Sequence, residues 1–388
     1  MKKTGSLFLA LMLLCGCSFS PNDNIIKVPT TSYTTTSIAN EAVSFIAVGD
    51  NLIHSPLYHY ADKQSGTTGD GKYDFSSFYT NVAQDLSGAD LSFVNQETIL
   101  GGGTPSNYPC FNTPDSMALT LNNLGVDIVN GSTNHALDRG NSGIAHAIAT
   151  FKQYQQITYI GLYASRQDAA TIKTVTKNGI TFALLAYTYG TNGFSGNGYN
   201  ITYFSPGRVK SDVAKARKLA DFVIVSAHWG TEYSHVPNSY QKKYAKILNE
   251  AGADLVIGTH PHVIQPMQWL TSSSGHKTLV AYSLGNFLST QNREDAMLEG
   301  MLSCTFRKIR HQTFIEDVVW TPLVNHNESG NGKPFSALTN MKIYKLKDYS
   351  EALASRHSLN GYRGITISKS RFLSKTLKII GDDFKIDD

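Results

Sequence analysis

An α/β fold built on a mostly parallel sheet is predicted by two observations. Short runs rich in β-branched and aromatic residues alternate with helix-like stretches, and several of those runs end abruptly in Asp, Asn, Glu or His. Strands that deliver polar side chains to one sheet edge are how α/β proteins build sites. The clearest case is Ala253 to His262, an apolar run that places His260 and His262 in one loop.

In chain order the strand runs are Val43 to Val48, Leu91 to Val94, Ile128 to Val129, Tyr159 to Ile160, Thr181 to Tyr187, Phe222 to Ala227, Leu255 to Gly258 and Thr278 to Ser283. Helical stretches fall between them at Ser76 to Leu86, Ser116 to Leu124, Gly140 to Tyr154, Ser211 to Leu219 and Ser239 to Ala251. Gly125 and Gly252 each follow a helical run and lead straight into a strand, the position where glycine stops a helix.

The N-terminus has a different texture. Lys2 and Lys3 precede an apolar run, Leu7 to Leu14, that is too short to span a bilayer and reads as a signal peptide. Leu14-Cys15-Gly16-Cys17 resembles the lipobox of bacterial lipoproteins. That resemblance implies cleavage after Gly16, a lipid anchor at Cys17 in the cell membrane and an extracytoplasmic body. An ordinary secretory signal is the alternative, and it too exports the chain. Residues 18–40, rich in Ser and Thr, bury too little apolar surface to order themselves and are expected to form a flexible tether.

The body is expected over residues 41–325. A turn-rich break from Asn325 to Gly332 suggests that residues 326–388 form a C-terminal extension packing on it. Cys110 and Cys304 could pair in an exported protein, but spacing alone assigns no bridge. A net charge of +4 on 388 residues argues against a nucleic-acid partner.

Candidate chemistry clusters at the strand ends: Asp50, His54, Asn95, Glu97, Asn134, His135, His228, His260 and His262. Imidazole with carboxylate suits divalent Mn, Zn or Fe better than Ca or Mg, and cysteine is absent from these loops. Asp138 could orient His135 or cap the following helix. Arg139 could attract an anionic substrate or be a solvated surface charge. Trp229 reads as packing behind His228, and Asn286 as a loop tie. Gly101 to Gly103 and Gly190 to Gly198 lack a nucleotide-binding spacing and read as loops bordering a cleft. Neither Gly-x-Ser-x-Gly nor His-Glu-x-x-His occurs, which lowers the case for a serine hydrolase or a zincin.

Together, Ala47-Val48-Gly49-Asp50, Asn95-Gln96-Glu97, Thr133 to Asp138, Ala227 to Gly230, Gly258 to His262 and Ser283 to Phe287 resemble, in order, the blocks of the CapA family of bacterial poly-γ-glutamate capsule synthesis proteins. The resemblance implies a calcineurin-like metallophosphoesterase fold, a four-layer sandwich of two β-sheets flanked by helices. It also implies a role in making, exporting or anchoring poly-γ-glutamate or a similar anionic polymer, alongside membrane polymer-synthesis machinery. Carried over block by block, Asp50 would bind one metal, Glu97 would bridge, and Asn134 and His228 would bind a second. His260 and His262 would be divided between the two, with His135 as the acid–base residue. Leu52 stands where the parent motif has a histidine, which leaves one metal position short of a ligand unless His54 substitutes. A hydrolase or transferase, a non-catalytic metal-stabilised polymer-binding protein, and a general surface phosphatase or nucleotidase all remain open.

Overall fold

The computed structural model describes residues 40–388. The expected signal peptide, the lipidation site Cys17 and the tether lie outside the described residues, except Asn40. The chain first lays down part of one sheet as β1 (Asn40–Asn51), β2 (Leu91–Gln96), β3 (Ile128–Asn130) and β4 (Thr158–Ile160). It then builds a second sheet: β5 (Lys173–Lys177), β6 (Ile180–Thr188), β7 (Phe222–His228), β8 (Leu255–Thr259), β9 (Met267–Thr271) and β10 (Lys277–Ala281). Finally it returns to the first sheet with β11 (Asn286–Leu288), β12 (Leu298–Ile309), β13 (Gln312–Ser329), β14 (Leu338–Lys345) and β15 (Lys385–Ile386).

The first sheet runs β14-β13-β12-β1-β2-β3-β4, and the second runs β5-β6-β7-β8-β10-β9. From β1 to β4, and from β6 to β8, neighbouring strands are parallel, so their carboxyl ends open on the same edge. Alternation along each strand sorts its side chains between two cores. Phe182, Leu184, Phe222 and Ile224 meet Phe45, Phe93 and Phe306 between the sheets. Ala183, Leu185, Val223 and Val225 face the helices Pro206–Ala216 and Ser239–Ala251 on the outer side. Val48, Val94 and Val129 face Met117, Leu121 and Ile144 from helices outside the first sheet. The result is the expected sandwich of two sheets flanked by helices. Helix Ser239–Ala251 starts on a capping box, Asn238 with Gln241, and stops at Gly252 in the left-handed region.

The boundary expected near residue 325 falls inside β13, which continues to Ser329 and pairs with β14. Its turn-type residues are used as buried hydrogen-bonding groups. Asn325 Nδ2 donates to Glu299 Oε1 (2.9 Å), and His326 Nδ1 bonds the Tyr349 hydroxyl (2.8 Å). The segment beyond β14 sends Phe372 and Ile380 of helix Lys369–Ile380 into the inter-sheet core. Cys304 is buried and Cys110 half-buried, and both are free thiols. Among the described residues, no helix is long and apolar enough to cross a membrane.

Candidate metal centre

One short strap joins the edges of the two sheets. Leu284 N donates to Gly258 O (3.1 Å), and Asp50 N donates to Gly285 O (2.9 Å). This close passage demands glycine on both β1 and β8. A Cβ on Gly49 would lie 1.9 Å from Gly285 O, and one on Gly258 would lie 2.0 Å from Tyr282 O. The glycine one residue before Asp50 and the glycine two before His260 therefore let the strap draw their strand ends together.

Asp50, at the end of β1, is fully buried and braced from three sides. Asn95 Nδ2 donates to its Oδ1 (2.7 Å), His260 N donates to Oδ2 (3.1 Å), and His262 Nδ1 lies 3.2 Å from Oδ2. Asn95 is itself held by Asn130, whose Nδ2 donates to Asn95 Oδ1 (2.6 Å). Asn95 thus orients the carboxylate.

Glu97 follows β2 and sits at the centre. His262 Nε2 lies 3.6 Å and His228 Nε2 4.0 Å from its Oε1. Both carboxylate oxygens are buried without a hydrogen-bond partner, as is His260 Nδ1. Burial pushes the Glu97 carboxyl well above the ordinary carboxylate range; charged His262 pulls it down and Asp50 pushes it further up. A native protein rarely leaves such atoms unsatisfied, and a cation is one way to satisfy them.

Across the seam, His228 Nε2 donates to Asn134 Oδ1 (2.8 Å), while the Thr259 hydroxyl donates to His228 Nδ1 (2.9 Å). Burial drives the His228 and His260 rings well below their usual range, and neighbouring imidazoles add to it. His262 is the opposite case. Burial alone would lower it, but the carboxylates of Glu97 and Asp50 outweigh that and raise it to about 10. His260 and His262 both have positive φ, 95° and 58°, a backbone that turns both rings into the seam at the cost of strain.

Two groups of donors share Glu97: Asp50, Glu97 and His262, and Glu97, His228 and His260, each with ligand atoms within 4.8 Å of one another. These buried groups could bind a metal. A third, with Glu232, His260 and His262, includes an exposed carboxylate that sequence reasoning missed. His54 belongs to none of the groups among the described residues. It stands at the N-cap position of helix Ser55–Gln64 without a side-chain cap bond and faces the cleft, where burial and charged His262 lower its pKa to about 3.

The cleft above the seam has a volume of about 330 Å³ and is lined by Leu52, His54, Phe111, His135, Tyr233, His262 and Arg293, among others. His135 Nδ1 is 2.6 Å from Asp138 Oδ2, which also accepts from Phe111 N (2.8 Å). Asp138 therefore orients His135; the following helix has no side-chain cap. Arg139 is exposed and lies over Gly101, away from the cleft lining. Asn286 ties the strap, donating to Ala296 O (3.2 Å) and Gln291 Oε1 (3.1 Å), and its Oδ1 also meets His262 Nδ1 (3.1 Å). Trp229 packs behind His228 on Phe204 and Tyr282. Asn192, in the Gly190 to Gly198 loop, accepts from Asn134 Nδ2 (3.3 Å). Tyr189 places its ring 4.6 Å from that of His260. Neither Tyr189, Asn192 nor Arg293 has a sequence signature; from loops, the first two reach His260 and Asn134, and Arg293 reaches the cleft wall.

A two-sheet α/β sandwich with a His/Asp/Glu cluster at its shared edge is the architecture expected of the CapA family. The family profile described as "Bacterial capsule synthesis protein PGA_cap" matches residues 44–291, and the chain belongs to that family. It is 32% identical over 191 residues to the PGA biosynthesis protein CapA of Bacillus subtilis (strain 168), covering 46% of this chain and 48% of that protein. It is 31% identical over 241 residues to the capsule biosynthesis protein CapA of Bacillus anthracis, covering 58% of this chain and 55% of that one. The chain thus spans about half the length of the curated relatives it matches. Among solved structures it is similar to the calcineurin-like phosphoesterase YfkN of Bacillus subtilis, with a TM-score of 0.43, 12% identity and coverage of 87% of this chain and 98% of that one. It is also similar to TT1561 of Thermus thermophilus, with a TM-score of 0.38, 9% identity and coverage of 71% and 98%.

Proposed function

We propose that this protein is a divalent-metal-dependent hydrolase or transferase that acts on poly-γ-glutamate or a similar anionic capsule polymer. In this reading it works outside the cytoplasm, held to the membrane by a lipid at Cys17 and beside the machinery that makes the polymer. The observation that carries the catalytic part is Glu97, a buried carboxylate with no hydrogen-bond partner that is common to two groups of potential ligands. Capsule involvement rests on the family.

Asp50, Glu97 and His262 would hold one ion; Glu97, Asn134, His228 and His260 would hold a second. Mn, Zn and Fe match this oxygen and imidazole set. Bound there, the metal would supply Lewis acidity and lower the pKa of water. The protein's own contribution is positional. Asn95 and His260 N fix the Asp50 carboxylate, and the strap fixes the distance between the sheets. His135 stands in the cleft wall with its Nδ1 engaged by Asp138, which leaves Nε2 to give a proton to a leaving oxygen or nitrogen.

The test is metal analysis of the purified protein together with turnover on poly-γ-glutamate and on simple phosphate mono- and diesters, using His135→Ala as the control. We expect bound metal in both proteins and a turnover loss of about 10²- to 10⁴-fold in the variant. Metal-free protein that still binds the polymer would replace this reading with that of a non-catalytic binding protein. Turnover confined to phosphate esters would replace it with a general phosphatase.

A further inference from the structure

We infer that Arg293 seats an oxyanion of the substrate at the mouth of the cleft, so that the protein takes a ligand bearing an anionic group beside the one that reacts. This seat rests on the reading above and names what the far wall of the cleft recognises.

Arg293 is exposed, yet its position is fixed. Its guanidinium carbon stands 4.0 Å from the centroid of the Tyr233 ring. Tyr233 is secured at two points. Its backbone N donates to Pro261 O (2.8 Å), the residue between the two histidines, and its hydroxyl accepts from Gln291 Nε2 (3.1 Å). Gln291 Oε1 in turn accepts from Asn286 Nδ2 (3.1 Å), and Asn286 Oδ1 meets His262 Nδ1 (3.1 Å). Tyr233 has a left-handed backbone, φ 62°, a conformation a bulky side chain keeps only where its surroundings enforce it. Arg293 is therefore registered to the His260-Pro261-His262 loop.

The guanidinium also donates to the Tyr233 hydroxyl, and its remaining N–H groups are left to grip a carboxylate or phosphate. The neighbouring residues make the contrast plain. Glu294 pairs with Arg371 (2.9 Å), and Asp295 pairs with Lys375 and with His235 (3.4 Å), all lining a separate cavity beneath helix Lys369–Ile380. No carboxylate lies within salt-bridge distance of Arg293 among the described residues. Glu232 also borders the cleft, and its charge works against an anion there, so the guanidinium is needed to offset it.

The experiment measures equilibrium binding of a short γ-linked glutamate oligomer, and separately of inorganic phosphate, to EDTA-treated full-length protein. Wild type, Arg293→Ala, Arg293→Lys and Arg166→Ala are compared. Arg166 is an equally exposed arginine, stacked on Tyr199 at 5.5 Å and outside the cleft lining. Removing a charge-assisted pair should weaken binding by roughly 10- to 100-fold in Arg293→Ala, with Arg293→Lys in between and Arg166→Ala unchanged. Added salt should weaken the wild type more than Arg293→Ala. Weakening of the oligomer alone assigns the seat to a chain carboxylate, and weakening of phosphate as well assigns it to any oxyanion. Wild-type affinity for both ligands in a folded Arg293→Ala, verified by an unchanged melting temperature, would overturn the inference. Turnover does not enter this measurement. Absent turnover in metal-loaded wild type would sink the hydrolytic reading while a binding defect at Arg293 left the seat standing.

Discussion

The two sheets bring opposite chemistry to one cleft. The first supplies oxygen donors, Asp50 from β1, Glu97 just after β2 and Asn134 beyond β3, whereas the second supplies imidazoles, His228 from β7 and His260 and His262 from the loop after β8. Their support differs as well. Asp50 is braced through the amide ladder Asn130–Asn95, while the rings of His260 and His262 are set by unusual backbone and by the strap. Neither sheet holds a complete ligand set. A metal there would belong to the seam, and its affinity would report how well the sheets are held together.

Glu97→Gln tests this division of labour most severely, because Glu97 is the one group common to both donor sets. We expect loss of metal from both positions and at least a thousandfold loss of turnover, roughly 4 kcal/mol of barrier. Without metal, the variant should melt within a few degrees of the wild type, since the buried carboxyl with no hydrogen-bond partner becomes a neutral amide while His262 loses the carboxylate 3.6 Å from its Nε2. Metal content and melting curves with and without chelator check both parts, and retained metal would mean Glu97 does not bridge. A smaller effect is expected from Asn95→Ala, which leaves every ligand in place but unbraces Asp50. Metal affinity should fall by about 10- to 100-fold, as for other outer supports, and at the Asp50 position only. Competition with a graded chelator measures it. The smallest change is Leu52→His, which adds an imidazole beside the position with fewer nitrogen donors. It should raise the metal-to-protein ratio measured by elemental analysis; an unchanged ratio would mean that Leu52 does not limit occupancy.

The parts legible in the sequence are those encoded locally. An apolar run ending in a polar residue marks Asp50, Glu97, His228 and His260 at their strand ends, and Gly49 and Gly258 preceding them reflect the close passage of the strap. Helix Ser239–Ala251 is equally plain because its cap and its glycine stop lie within the same stretch of chain. The long antiparallel strands are not. Asn325, His326 and Asn327 look like turn residues until Glu299, Tyr349 and Ser358, distant in sequence, satisfy them inside β13. Arg293, Tyr233 and Glu232 are illegible for a similar reason. Loops carry no periodicity, and their side chains acquire meaning only from what the fold sets opposite them.

The order in which the sheets are laid down also sets when the seam can close. β1 lies between β2 and β12, and its register with β12 pairs Asn40 with Ile309, across most of the described chain. Contacts so distant in sequence close late in folding. The strap that fixes Asp50 leads directly into β11 and β12, so the seam closes only after both sheets exist. A cation offered to the growing chain would find loose histidines and carboxylates, and capture becomes selective only once the last strands have locked the first one in place.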